Sequence, residues 1–240
     1  MRPAVRSLQF ALLCGVVGLA GCASVIDGRI EQLILAELPR VVGPAARYDV
    51  DVAGTRVDGD IARLRQVRVS GERVERARAP VLDRAELTMS DVVVNRTEKR
   101  LLSARGADAN VRILPRDIAV FLDAKAGLTN AAVTLHPPYE MTVEVQFNVA
   151  GFVLPPIVRA RVRGRLVASA GNLVMEVSDL RLVGVPTGTV PAFVLERLIN
   201  PLVDLSGSPA PSRVNSVSVT PDAVTFTASS SQVEAGLPAR

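Results

Sequence analysis

Three groups of residues in this 240-residue chain are of types that could do chemistry: the cysteines Cys14 and Cys22, the single histidine His136, and the alternating guanidiniums Arg159, Arg161, Arg163 and Arg165. Nucleophilic catalysis at His136 would need a serine, a cysteine or a second base held against it. The chain has no second histidine and no Gly-x-Ser-x-Gly turn, and His136 is followed by two prolines. Carboxylates are scattered over strand positions instead of being paired in a motif, so the residues do not point to an enzyme. No cofactor or metal is implied. The arginine row offers planar donors suited to phosphate. If its strand pairs antiparallel with the preceding one, Glu140 and Glu144 lie on the matching face. Two readings then stand open, cross-strand ion pairs and contact with anionic lipid head groups.

The cysteines sit in a different setting. Arg2 and Arg6 precede a continuous apolar run from Phe10 to Ala20, which has the form of a secretory signal and is too short to span a bilayer. The run ends in Leu19-Ala20-Gly21-Cys22, which resembles a bacterial lipobox. That resemblance implies a cleaved signal over residues 1–21 and a diacylglyceryl group on the Cys22 thiol. A plain secretory leader with an incidental thiol is the competing reading. Cys14, preceded by Ala11-Leu12-Leu13, lacks the pattern. In a lipoprotein, Ala23 after the acylated cysteine implies the outer membrane, facing the periplasm. With Cys14 removed and Cys22 acylated, no thiol remains for a disulfide or a metal. The formal charge of +4 loses two units with Arg2 and Arg6, and the small remainder does not argue for nucleic acid. Only Lys99 and Lys125 are lysines, among 28 basic residues.

The elements that position these groups follow from periodicity. At 48% hydrophobic and 22% charged, the chain is long enough for one substantial core. Residues 22–29 read as the acylated cysteine and a short tether, six residues of which reach at most about 20 Å. Residues 30–228 read as a single domain, and the Ser-rich residues 229–240 as a flexible tail. Asp27 predicts the cap of a first helix, with Ile30, Leu33, Ile34 and Leu38 in one stripe and Pro39 closing it. Such a stripe serves either a core or a membrane surface. Strands are predicted through Tyr48 to Val52, Leu64 to Val69, Val81 to Val94 and Ala107 to Ile113. Leu114-Pro115 opens a second helix carrying Ile118, Phe121 and Leu122 on one side. A third runs from Val190 to Ile199 and stops at Asn200-Pro201.

The strictest pattern runs from Tyr139 to Ala168. Tyr139, Met141, Val143, Val145, Phe147 and Val149 alternate with polar residues, and Val158, Ala160, Val162 and Leu166 alternate with the arginine row. Two arms this long exceed the usual strand of about 5 to 6 residues. A short strand through Val133 and Leu135 and strands through Leu173 to Leu182, Val214 to Val219 and Val224 to Ala228 complete the set. The fold class is a β-rich α+β, with a long twisted antiparallel sheet curled around one or more helices.

This order of elements resembles the LmeA-like phospholipid-binding family over about Ile30 to Ala228. The phrases that carry the likeness are Leu38-Pro39 with Tyr48-Asp49-Val50-Asp51-Val52-Ala53-Gly54, then Pro115-Arg116-Asp117-Ile118, and above all Ile199-Asn200-Pro201-Leu202-Val203-Asp204-Leu205. The resemblance implies a fold similar to tubular lipid-binding proteins, where a twisted sheet wraps a helix and leaves a cavity for acyl chains. It implies a phospholipid or related diacyl lipid as partner and supplies no ligand set.

Lining candidates therefore come from the chain itself. They are Val50, Leu87 and Met89, then Phe121 and Leu122, then Met141, Val143, Val145 and Phe147, then Val162, Leu166 and Met175, and last Phe193, Val194 and Leu198. Each is equally at home in a plain core. Aromatics are only 3% of the chain, so the lining is aliphatic and can mould to a flexible guest. Pulling an acyl chain into water costs on the order of 10 kcal/mol, at about 0.8 kcal/mol per CH₂, whereas moving it into an aliphatic tunnel costs almost nothing. Two functions follow as expectations: an anchored carrier of a diacyl lipid, and an accessory lipoprotein filled by its own side chains that works through a protein partner.

Overall fold

The computed structural model describes residues 14–149, 152–153, 159–183, 192–205 and 213–234. A helix, α1 (Cys14–Val41), precedes six strands: β1 (Arg47–Ala53), β2 (Arg56–Asp58), β3 (Ile61–Val74), β4 (Leu82–Asn95), β5 (Arg100–Ala104) and β6 (Gly106–Ile113). Helix α2 (Pro115–Asp123) leads into β7 (Leu128–His136), β8 (Glu140–Val149), β9 (Phe152–Val153), β10 (Arg159–Ser169) and β11 (Asn172–Val183). Helix α3 (Ala192–Ile199) is followed by β12 (Arg213–Val219), β13 (Val224–Ser230) and β14 (Val233–Glu234). The β-rich α+β class is as expected. The sheet expected as one is two, both antiparallel and with free edges. The larger has the order β1-β3-β4-β6-β13-β12, with β2 on β3 and β5 between β4 and β14, and the smaller has the order β11-β10-β8-β7 with β9 on β8. Helix α2 stands where the chain leaves one sheet for the other, and one continuous apolar core joins both.

Alternation explains the larger sheet. On β3, Ala62, Leu64, Val67 and Val69 are buried, and on β4 Leu87, Met89, Val92 and Val94, while the residues between them face water. Helix α1 lays Ile30, Ile34 and Leu38 against this face, each at most 6% exposed. Its start corrects the sequence reading. The helix is already formed at Cys14, so Asp27 caps nothing and residues 23–28 are helical, not an extended tether. Asp27 is a capping type, but the stretch from Cys14 to Ile26 contains no proline and nothing else that must stop a helix. Pro39 lies inside the last turn, where the one hydrogen bond it forfeits is easily spared, and the amides of Val42 and Gly43 close the helix on the Leu38 carbonyl. Among the described residues no helix is long and apolar enough to cross a membrane.

The tail is the second correction. β13 continues to Ser230, and Val233, fully buried, pairs with Ala104 on β5, so order extends well past Ala228. A single apolar residue in a Ser-rich stretch carries no period to read.

Three joints hold helices to sheets. Asp117, in the first turn of α2 and 6% exposed, accepts both terminal nitrogens of Arg73 at 2.7 Å. The Tyr48 hydroxyl donates to the Gly43 carbonyl at 2.6 Å, and its ring lies over Gly71, the residue opposite it in the β1–β3 register. A Cβ at Gly71 would stand 2.7 Å from that ring. The third joint is Asn200, whose side-chain amide pairs with both backbone groups of Met175 on β11 at 2.8 Å. Beside it the Lys125 ammonium donates to the carbonyls of Ile199 and Pro201 at 2.7 and 3.2 Å and lies 4.7 Å from the Phe121 ring.

Burial pulls Lys125 down to about 8 and pushes the Tyr48 phenol up to about 12. An alkaline stability profile follows. Between about pH 8 and 10.5 the unfolded chain holds a proton on Lys125 that the folded chain has released, so stability rises with pH. Between about pH 10 and 12 the folded chain keeps a phenol proton that the unfolded chain has lost, so stability falls. Urea midpoints measured from pH 7 to 12 should peak near pH 10. Lys125→Met should abolish the rising limb and Tyr48→Phe the falling one.

Candidate functional site

The long hairpin pairs as its pattern predicts, with Val143 opposite Val162 and Glu144 opposite Arg161. Met141, Val143, Val145, Val162, Leu166 and Met175 are all at most 2% exposed and lie in the core. The arginine row is engaged. Arg161 pairs with Glu144 and Arg163 with Glu140, and the Arg165 guanidinium lies 4.9 Å from the Tyr139 ring; Arg159 is exposed. Cross-strand pairing is thus what the geometry gives. A polar groove of about 320 Å³ runs over this outer face past His136, Arg161, Arg163 and Arg181. His136 Nε2 lies 2.9 Å from the Thr142 hydroxyl, which accounts for it structurally. Thr142 and Gln146, two of the polar residues that alternate with the apolar ones on β8, are nearly buried because His136 and Asn130 of β7 cover them.

The apolar free space lies elsewhere. One cleft runs between α1 and the larger sheet, lined by Leu33, Ile34, Glu37, Leu38, Val41 and Val42 from the helix side and Leu87, Met89, Val92, Val94 and Leu101 from β4 and β5. A second continues over Leu82, Ala85, Leu87, Ala109, Val111 and Phe226 to Val203 and Leu205, with Arg76 and Glu86 at its rim. The two adjoin at Val42 and Leu87, which border both, and their linings make one apolar seam along β4. From Leu82 to Val94 along β4 it is about 40 Å long at roughly 3.3 Å per residue. Its open space is small, about 20 Å³ in the first cleft and about 30 Å³ in the second, each on the order of one or two water-sized spheres.

Of the lining candidates, Leu87 and Met89 border the seam. Val50 is half-buried on β1, Phe121 and Leu122 sit on α2 against β7, and Leu198 is half-buried on α3. The side chains of Phe147, Phe193 and Val194 fall outside the described residues. Sequence reasoning passed over Val92, Val94 and Leu101 as lining. The α1 stripe, read as core or membrane face, was the available signal for the helix side. A larger open groove of about 680 Å³ crosses the opposite face of the same sheet, past Arg56, Arg63, Arg65, Asp91 and Arg105. Among the described residues no three His, Cys, Asp or Glu side chains come together as a metal would require.

Two open antiparallel sheets, a helix laid along an apolar face and an apolar seam beneath it make this a β-rich α+β protein. A family model described as LmeA-like phospholipid-binding matches residues 17–229, and the chain belongs to that family. Comparison with curated proteins and with solved structures gives no match. The phrases that carry the likeness are the joints already described. Tyr48 and Asp117 tie α1 and α2 to β3, and residues 199–205 stitch onto β11 before delivering Val203 and Leu205 to the seam.

Proposed function

We propose that the protein is a non-catalytic envelope lipoprotein, anchored through an acylated Cys22 in the outer membrane. In this reading it holds the acyl chains of a phospholipid in the seam between α1 and the larger sheet, for local transfer or presentation. The observation that carries the reading is the seam itself: about 40 Å of aliphatic lining, bounded on one side by a single helix. An acyl chain needs about 15 Å, half the hydrocarbon thickness of a bilayer. Helix α1 acts as the wall that yields. Exchanging its side chains for lipid tails keeps apolar surface dry throughout, so opening against a bilayer costs little. Cys22 stands eight residues before Ile30, which is buried in the core, and eight residues are about 12 Å along a helix. The folded body therefore works at one membrane surface.

The test is photo-crosslinking of the full chain, in vesicles, with a phospholipid carrying a diazirine at mid-acyl chain. Adducts should map to Leu33, Leu38, Met89 and Leu101. Adducts confined to the hairpin residues Val143 and Val162 would move the site, and a chain that forms none and co-purifies with no lipid is the accessory lipoprotein instead.

A further inference from the structure

Among the described residues, Arg76 is the charged side chain lining the seam that makes no ion pair, whereas Glu37 is held by Arg40 and Glu86 by Arg84. It follows β3, in a loop whose Glu75 amide donates to the Pro44 carbonyl at 2.7 Å, and its stem passes close beneath Gly43 at the end of α1. Half-buried, it lines the second cleft together with Leu82, Leu87, Leu205 and Phe226. Several arginines elsewhere take carboxylates, among them Arg73 with Asp117, Arg112 with Asp83 and Arg161 with Glu144. Among the described residues Arg76 has no ion pair and no hydrogen bond. Glu86 borders the same cleft but is held by Arg84 at 2.9 Å. The residues outside the described set add no aspartate or glutamate. Burial pulls the Arg76 guanidinium below its ordinary value, and the one titratable group that favours its charge is Tyr48, a phenol that stays neutral up to about pH 12.

A desolvated cation without a counter-charge is a cost to folding, and its position at the rim of an apolar channel suggests what offsets it. We propose that Arg76 binds the phosphate of the lipid whose tails lie in the seam, so that the ligand is a phosphodiester lipid entering head-outward at the β3–β4 end. This rests on the seam being the acyl site. Guanidinium supplies a planar pair of donors to phosphate oxygens, and the tails then run from Leu82 toward Leu101. On β10, Arg161 and Arg163 are already answered by Glu144 and Glu140 and are left with a structural part.

The test offers the full chain in mild detergent an equimolar mixture of phosphatidylglycerol and diacylglycerol with identical acyl chains, and reads the bound lipid by native mass spectrometry. The wild-type chain should prefer the phospholipid, and Arg76→Met should lose that preference by on the order of 10- to 100-fold, the worth of charge-assisted hydrogen bonds, while still taking up diacylglycerol. Arg76→Lys should keep part of it. Lipid-free Arg76→Met should melt at or above the wild-type temperature, because it sheds an unanswered charge; a large drop would mark Arg76 as a structural residue and overturn the proposal. So would a phosphate preference that survives in Arg76→Met, or one that millimolar inorganic phosphate erases, which would assign the site to a free anion. If the wild-type chain takes up neither lipid, the acyl site fails first and this inference with it.

Discussion

Replacing Gly43 with alanine is expected to lower stability by about 3 kcal/mol or more and to release the end of α1 from the larger sheet. Gly43 has φ +129°, a region side chains rarely tolerate, and a Cβ there would run into the Glu75 carbonyl oxygen, a backbone atom with no room to swing away. The backbone strain alone is worth about 1–3 kcal/mol, and the collision adds to it. The same turn carries the Tyr48 hydrogen bond and the Ala46 and Glu75 amide bonds that seat the helix. The comparison that isolates the effect is Gly59→Ala, at φ +55° with nothing within 4 Å of a new Cβ, which should cost about 1 kcal/mol. Chemical denaturation gives both numbers, and hydrogen exchange at Ile30 to Leu38 shows whether α1 is the part that lets go. Equal costs for the two glycines would mean that Gly43 does not seat the helix.

Arg73→Leu is the second large effect, expected at about 3 kcal/mol, or on the order of 10 °C in Tm. It leaves the Asp117 carboxylate 6% exposed with its bidentate partner gone. Asp83, 3.8 Å from Arg73 and hydrogen-bonded to Arg112, cannot stand in because its charge has the same sign. The double variant Arg73→Leu with Asp117→Leu should recover much of the loss, since the penalty comes from a stranded charge more than from the lost pair. A double variant as unstable as the sum of the two singles would refute that account.

How much of this could be read from residues alone depended on period. The hairpin announced both its strands and its register, because Val143, Val145, Ala160 and Val162 alternate with charges whose partners could be named in advance. The short strands β2, β5 and β14 hold two to five residues each, too few to show alternation, and β14 exists only because Val233 finds Ala104 far back in the sequence. The start of α1 was misplaced because Asp27 is a plausible cap by type, and type cannot show whether the preceding turn is already helical. The lining was half legible: Leu87 and Met89 were named, but the opposing wall comes from the stripe of α1, whose partner surface no spacing reveals. Arg76 was invisible, one arginine among many until its surroundings placed it among apolar lining and, among the described residues, without an ion pair.

The scarcity of lysine has a practical side. Lys125 commits its ammonium to two carbonyls and an aromatic face, whereas Lys99 stands exposed at φ 52° in the turn between β4 and β5. Amine-directed dyes and spin labels should therefore find one ready handle on the folded body. That handle sits at the Leu101 end of the seam, so a single reporter placed there can gauge how close this rim stands to a bilayer.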